Sequence, residues 1–355
     1  SNNMVTGNES ITKRGNTLVR NFDKTRKLVE EILLEPRWDE EELKRIKTST
    51  INSVKRSAAN PNFVSRNVAN KLLYGDKHIF AYPISGSLES IEAITMEDLK
   101  AFYKKNFSPS VSKFHIVGNI DQETVTATLT SLEKKWESKE VTIPTFEMNP
   151  DRNKSSLYFV DIPNAKQSVI NIGYLSMART DPDYFAATVM NYKLGGSFSG
   201  NVNLILREEK GYTYGAFTGF SGTKVRGTFT ASSSVRTNTT FESVNIFRDE
   251  INKYKNGISQ EDLDFTKNAL IKSNARRFET QGALLGMLQN ISNYNLSTDY
   301  IANEEDIIRT MTLEQHKALA NKYLDASKMG YLVVGDAATQ FAKFKNAGFD
   351  EVILL

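Results

Sequence analysis

Blocks of period-two and helical hydrophobicity succeed one another along the chain. Leu157-Tyr-Phe-Val-Asp161 and Ser168-Val-Ile-Asn-Ile-Gly-Tyr174 predict two strands joined across a Pro163-Asn164 turn. Tyr184 to Tyr192 predicts a helix closed by Gly195-Gly196. Tyr212 to Phe220 and Gly227 to Val235 alternate apolar with polar positions and predict two further strands. Phe241, Val244, Phe247, Ile251 and Tyr254 then line one face of a helix. Trp38-Asp-Glu-Glu-Glu-Leu43 and Ile258-Ser-Gln-Glu-Asp-Leu263 each open a long helix with acids in its first turn, where the helix dipole favours them. Strands followed by several helices predict an α+β sandwich in which helices pack on an antiparallel sheet.

An internal repeat organises these blocks. Ile91-Glu-Ala-Ile-Thr-Met-Glu-Asp-Leu-Lys-Ala-Phe-Tyr-Lys-Lys reappears as Ile308-Arg-Thr-Met-Thr-Leu-Glu-Gln-His-Lys-Ala-Leu-Ala-Asn-Lys. Without a gap, Lys113-Phe-His-Ile-Val-Gly-Asn119 then falls on Gly330-Tyr-Leu-Val-Val-Gly-Asp336. Each copy predicts a helix capped by Thr, a polar turn and a short strand ending at Gly. The expected organisation is two homologous α/β sandwich units, residues 1–137 and 156–355, joined by a linker at 138–155 that holds Pro144, Pro150 and several charges. Far fewer residues precede the first acidic helix than the second. The first unit is therefore expected to be truncated at its N-terminus, without its opening strands and first helix.

Composition narrows the function. The 355 residues are 39% hydrophobic and 25% charged, as in folded globular proteins. A formal charge of +3, spread along the chain, gives no case for nucleic acid. No apolar run reaches the roughly 20 residues of a membrane span. The start, Ser1-Asn2-Asn3-Met4, reads as a chain whose signal peptide is absent or removed. The chain has no cysteine, which excludes disulfides and thiolate chemistry, and only three histidines, His78, His115 and His316. None of them has a second histidine at ligand spacing. His115, in the apolar run Phe114-His-Ile-Val117, reads as a core histidine.

One segment carries a family likeness: Leu194-Gly-Gly-Ser-Phe-Ser-Gly-Asn-Val-Asn-Leu-Ile-Leu-Arg-Glu-Glu-Lys-Gly-Tyr-Thr-Tyr214. It resembles the second-domain segment of pitrilysin/insulinase-type zinc metallopeptidases, which include the mitochondrial processing peptidase. In that segment a Gly-rich turn leads into a helix ending in Arg-Glu, then Gly and a strand Tyr. Two flanking stretches agree: Asp161-Ile-Pro-Asn-Ala-Lys-Gln-Ser168, and Lys27 to Lys47 with its Leu-Leu-Glu-Pro.

The resemblance implies two halves closing around a chamber, one bearing zinc and the other an Arg/Tyr pair. Zinc hydrolysis in the family uses H-x-x-E-H, which this sequence lacks. A second ligand Glu would fall near Asn52 or Ser53, yet Leu43 to Leu88 contains no Glu. The expectation is a zinc-free, substrate-binding half with no catalytic residue and no metal or cofactor of its own. Zinc is expected in a partner half, either on the same polypeptide or a separate subunit. Arg207 and Tyr214, seven residues apart, are the candidate peptide-binding pair, with Gly195 and Gly196 on a candidate substrate-facing loop. Strand parity does not choose between Tyr212 and Tyr214; the spacing does. Two alternatives stand beside this: a fragment of an active zinc peptidase lacking its H-x-x-E-H region, or a purely structural family member. The compartment stays open, with a bacterial periplasm or envelope ahead of cytoplasm or mitochondrial matrix.

Overall fold

The computed structural model describes residues 2–355. In chain order its elements are β1 (Asn2–Thr6), β2 (Ile11–Gly15), α1 (Phe22–Leu34), α2 (Glu40–Ser57), α3 (Pro61–Tyr74), α4 (Leu88–Ala93), α5 (Met96–Asn106) and α6 (Gln122–Glu133). There follow β3 (Ser156–Asp161), β4 (Gln167–Leu175), α7 (Tyr184–Asn191), α8 (Asn201–Asn203), β5 (Thr213–Ser221) and β6 (Thr228–Arg236). The remainder is α9 (Thr240–Tyr254), α10 (Gln260–Asn274), α11 (Gln281–Tyr294), α12 (Tyr300–Thr310), α13 (Leu313–Tyr323), β7 (Gly330–Gly335), α14 (Ala337–Phe344) and β8 (Glu351–Leu354). The fold is α+β. Its residues fall into two units: one comprises the chain up to Ser57, Tyr82–Phe146 and Thr280–Gln289, and the other Ala58–Ala81, Glu147–Glu279 and Asn290–Leu355.

The second unit holds a six-stranded sheet in the order β5-β6-β4-β7-β3-β8. It is antiparallel from β5 to β7 and becomes parallel where β3 lies between β7 and β8. Alternation along β7 explains the layers. Tyr331 and Val333 point into the main core with Leu157, Phe159, Ile170 and Ile172, beneath Val244, Phe247 and Ile251 of α9. Leu332 and Val334 point to the other face, where Ala69, Val64, Val68 and Leu72 of α3 cover them. A strand buried on both faces needs a continuous apolar run, and Tyr331-Leu-Val-Val334 is one. Helix α3 starts where the Asn60 side chain accepts from the Asn62 N–H at 2.9 Å, with Pro61 at the first helical position. It stops at Gly75, whose φ of 82° is left-handed.

In the first unit β1 and β2 form an antiparallel hairpin and, among the described residues, the unit's whole sheet. Polar contacts tie helices of this unit: the Tyr103 hydroxyl donates to the Leu33 carbonyl at 2.7 Å, Lys47 Nζ reaches the Glu92 and Ile94 carbonyls, each at 2.8 Å, and Lys135 Nζ donates to Glu30 Oε2 at 2.8 Å.

The repeat is visible at the level of caps. Thr95 and Thr312 each close a capping box, with Asp98 and Gln315. Each helix that follows has 11 residues and is succeeded by a 3₁₀ turn, capped by Ser108 in one copy and Asp325 in the other. The strand does not recur. Gly330–Gly335 is β7, whereas Phe114–Val117 carries no ladder, which corrects the expected strand there. The reason is pairing: β7 is flanked by β4 and β3, while the first unit's sheet consists of β1 and β2. Phe114 is 50% exposed where its counterpart Tyr331 is 0% exposed.

Candidate functional site

The Gly-rich segment folds into two π-helical stretches separated by a tight turn. Helix α7 runs on as a π-helix over Tyr192–Gly196, and α8 runs on as a second over Leu204–Glu209. The helical stretch ends at Gly196, within the expected Gly195-Gly196 stop, and the chain continues at Ser197 in extended geometry. π-Helical turns widen the backbone ring and concentrate at functional positions. Here the glycines serve close approach rather than an unusual φ. A Cβ on Gly195 would stand 2.7 Å from the Thr218 backbone nitrogen of β5, and one on Gly200 would stand 2.6 Å from the Gly195 Cα. Gly195 is therefore buried against the strand, and Gly196 beside it is exposed.

β5 is an edge strand, and side chains of the α7–α8 segment cover its outer groups. Asn203 Oδ1 accepts from the Ala216 N–H at 3.0 Å, and Asn191 Nδ2 donates to the Thr218 carbonyl at 2.9 Å. The Tyr184 hydroxyl donates to the Phe220 carbonyl at 3.3 Å. This cover prevents another strand from pairing there.

Arg207 sits in the second π-helix. Its Nη1 donates to Glu208 Oε1 at 2.6 Å, and its guanidinium lies 4.3 Å from the centroid of the Phe198 ring. Gly211, at φ 64°, turns the chain from that helix into β5 while the Tyr212 N–H bonds the Leu206 carbonyl at 2.8 Å. The two tyrosines then part. The Tyr212 hydroxyl donates to Glu242 Oε2 at 2.6 Å, a bond that raises its pKa above the ordinary phenol value. Tyr214 is 92% exposed.

A β-bulge turns Tyr214 outward. Thr213 pairs with Val235 and Ala216 with Ser233, three steps on β5 against two on β6. The extra residue breaks strict alternation, so Tyr214 is exposed although Ala216, of the same parity, is buried. Thr213 and Ser233 hold the bulge: Thr213 Oγ1 accepts from the Gly215 N–H at 3.1 Å, and Ser233 Oγ lies 2.9 Å from the Gly215 carbonyl. Alternation in the sequence gave no sign of this bulge; Gly215 was the available signal. No hydrogen bond or ring contact links Arg207 to Tyr214 among the described residues.

His78 and His316 are placed for packing, whereas His115, expected in the core, is only half-buried. His78 stacks on Tyr74 with centroids 4.9 Å apart, and its Nδ1 accepts from the Phe80 N–H at 3.1 Å. His316 is buried, with Nε2 at 3.2 Å from both the Tyr254 hydroxyl and the Met190 carbonyl. Burial is the leading cause lowering the pKa of all three. Among the described residues no three His, Cys, Asp or Glu side chains gather as a metal site, so the donor set does not fit zinc. No helix of the described residues is long and apolar enough to cross a membrane.

The family model described as the peptidase M16 inactive domain matches residues 93–270, just over half of the chain. This chain belongs to that family. Two curated relatives are an uncharacterized zinc protease of Streptomyces coelicolor and a probable inactive metalloprotease of Bacillus subtilis, each 24% identical. The first alignment covers 61% of this chain and 48% of the relative, the second 65% and 54%. The chain thus spans about half the length of these relatives. The crystal structure of a peptidase M16 inactive domain from Pseudomonas fluorescens superposes with a TM-score of 0.85 at 26% identity, covering 95% of this chain and 81% of that one. As an M16 inactive domain, the chain is a non-catalytic member of a family of zinc-protease-like proteins.

Proposed function

We propose that this M16 inactive domain is the peptide-binding half of a two-part zinc peptidase, with Arg207 and Tyr214 as its binding pair. In this reading a first unit to residue 137 and a connecting segment at 138–155 precede the unit, 156–355, that carries the site. The observation behind it is the bulge that presents the Tyr214 phenol to solvent while Tyr212 is held by Glu242. A hydroxyl and a guanidinium are both donors, and donors are what a peptide carbonyl gaining charge during attack requires. The hydrolytic chemistry belongs to a zinc-bearing partner half, on the same polypeptide or on another subunit. Gly195 acts by closing the turn against β5, and Gly196 contributes exposed backbone beside it.

The test is turnover of a peptide by this chain reconstituted with a zinc-bearing half. Tyr214→Phe should lower turnover roughly ten- to a thousandfold, the scale of losing one oxyanion donor. Unchanged turnover in the double variant Arg207→Ala/Tyr214→Phe would overturn the proposal.

A further inference from the structure

We infer that Phe198 is a specificity-determining residue of this site, forming with Arg207 a subsite for an aromatic side chain of the bound peptide. This rests on the peptide-binding reading above and deepens it. Phe198 is 58% exposed, although the turn that carries it is held by hydrogen bonds. The Gly200 N–H bonds the Ser197 carbonyl at 3.0 Å, and Ser197 Oγ donates to the Tyr192 carbonyl at 3.2 Å. Asn203 Nδ2 donates to the Phe198 carbonyl at 2.6 Å. An apolar ring on a mobile tip would be free to fold back and shed water. This one stands on a backbone held by these bonds, so the ordering cost of the turn is met before any ligand arrives.

Asn203 also accepts from the Ala216 N–H, two residues beyond Tyr214. A single buried side-chain amide therefore sets the position of both the turn and the strand that bears the phenol. The guanidinium of Arg207, resting on the ring at 4.3 Å, makes the third member. An aromatic ring beside a guanidinium attracts a further aromatic side chain by stacking and by its quadrupole. Aliphatic and small side chains lack the second attraction.

The probes are two fluorescent peptides that differ only in one central Phe or Ala, titrated into the whole chain. The unaltered protein should bind the Phe peptide roughly three- to tenfold more tightly. Phe198→Ala should bring the two affinities within about twofold, while Phe198→Tyr should keep the preference. Far-UV circular dichroism confirms that each variant is folded. Retention of the full Phe preference in Phe198→Ala overturns the inference, as does equal weakening of both peptides. If Arg207→Ala/Tyr214→Phe weakens both peptides while Phe198→Ala leaves the preference intact, the inference alone fails. If the double variant binds as well as the unaltered chain, or neither peptide binds at all, the peptide-binding reading fails with it.

Discussion

Asn203→Asp is a near-isosteric change whose cost has a thermodynamic ceiling. Asn203 is 0% exposed, accepts from the Ala216 N–H at 3.0 Å and donates to the Phe198 carbonyl at 2.6 Å. The orientation of its amide is fixed by Ala216, because an NH₂ group cannot accept from a backbone N–H. A carboxylate at this position keeps the first bond. It loses the second and turns an oxygen toward the Phe198 carbonyl. Losing one buried partner costs about 1–3 kcal/mol, and burial of the charge adds to it. The folded state can escape by taking a proton, which restores a donor. From an unfolded-state pKa of about 3.9, protonation at pH 7 costs about 4 kcal/mol, so the destabilisation lies at roughly 2–4 kcal/mol.

The sign of the pH dependence follows. The new carboxyl has its pKa raised in the folded state, so that state binds more protons than the unfolded one over the intervening range. The penalty is full above the raised pKa, shrinks by about 1.4 kcal/mol per pH unit below it, and vanishes near pH 4. Urea unfolding followed by far-UV circular dichroism at several pH values, variant against unaltered chain, reads this directly. A destabilisation under about 0.5 kcal/mol at pH 7, or one independent of pH, would refute the role given to the Asn203 amide.

Three further outcomes are expected. Glu304 is buried and receives Arg179 at 3.0 Å and Arg277 at 2.8 Å, so Glu304→Ala should cost about 2–4 kcal/mol in unfolding free energy, whereas Glu305→Ala, partly exposed and paired along its own helix with Arg309, should cost under about 1 kcal/mol. His316 has its pKa lowered by burial, so the unfolded chain takes up a proton first as pH falls through about 6.5, and melting temperature should drop between pH 7 and 5; His316→Leu should flatten that drop, since Tyr254 still donates to the Met190 carbonyl at 2.8 Å. Tyr214→Phe should leave the unfolding midpoint unchanged, because the phenol is 92% exposed and makes no hydrogen bond among the described residues.

Helices of the second unit were legible because local and tertiary demands agree in them. Val244, Phe247, Ile251 and Tyr254 form a stripe in the sequence and are all buried in α9. The repeat was legible to the level of a single capping hydroxyl, since Thr95 and Thr312 do the same local work whatever surrounds them. Phe114-His-Ile-Val117 shows where local reading stops. The β-rich run is present, yet a strand exists only in a ladder, and ladder partners come from distant sequence. Helix α3 carried its own signals, Asn60-Pro61 at the start and Gly75 at the end. Its place on the second face of the sheet follows from pairing Val68 and Ala69 with Leu332 and Val334, more than 250 residues away.

The site itself divides along the same line. The seven-residue spacing from Arg207 to Tyr214 is a property of the sequence, but the direction of each side chain is a property of register. One extra residue between Thr213 and Ala216 decides which tyrosine meets solvent. That insertion is stable because Thr213, Ser233 and Gly215 satisfy one another's polar groups within it. On the neighbouring segment, Asn191 and Asn203 take up the edge groups that the last strand of a sheet leaves bare. A period-two reading treats Thr213, Ser233, Asn191 and Asn203 as polar positions of no special kind. In the folded chain they are the residues that cover an edge strand and turn one phenol outward. The proposed peptide-binding surface therefore depends as much on these hydroxyls and amides as on Arg207 and Tyr214, the pair that gave the family likeness.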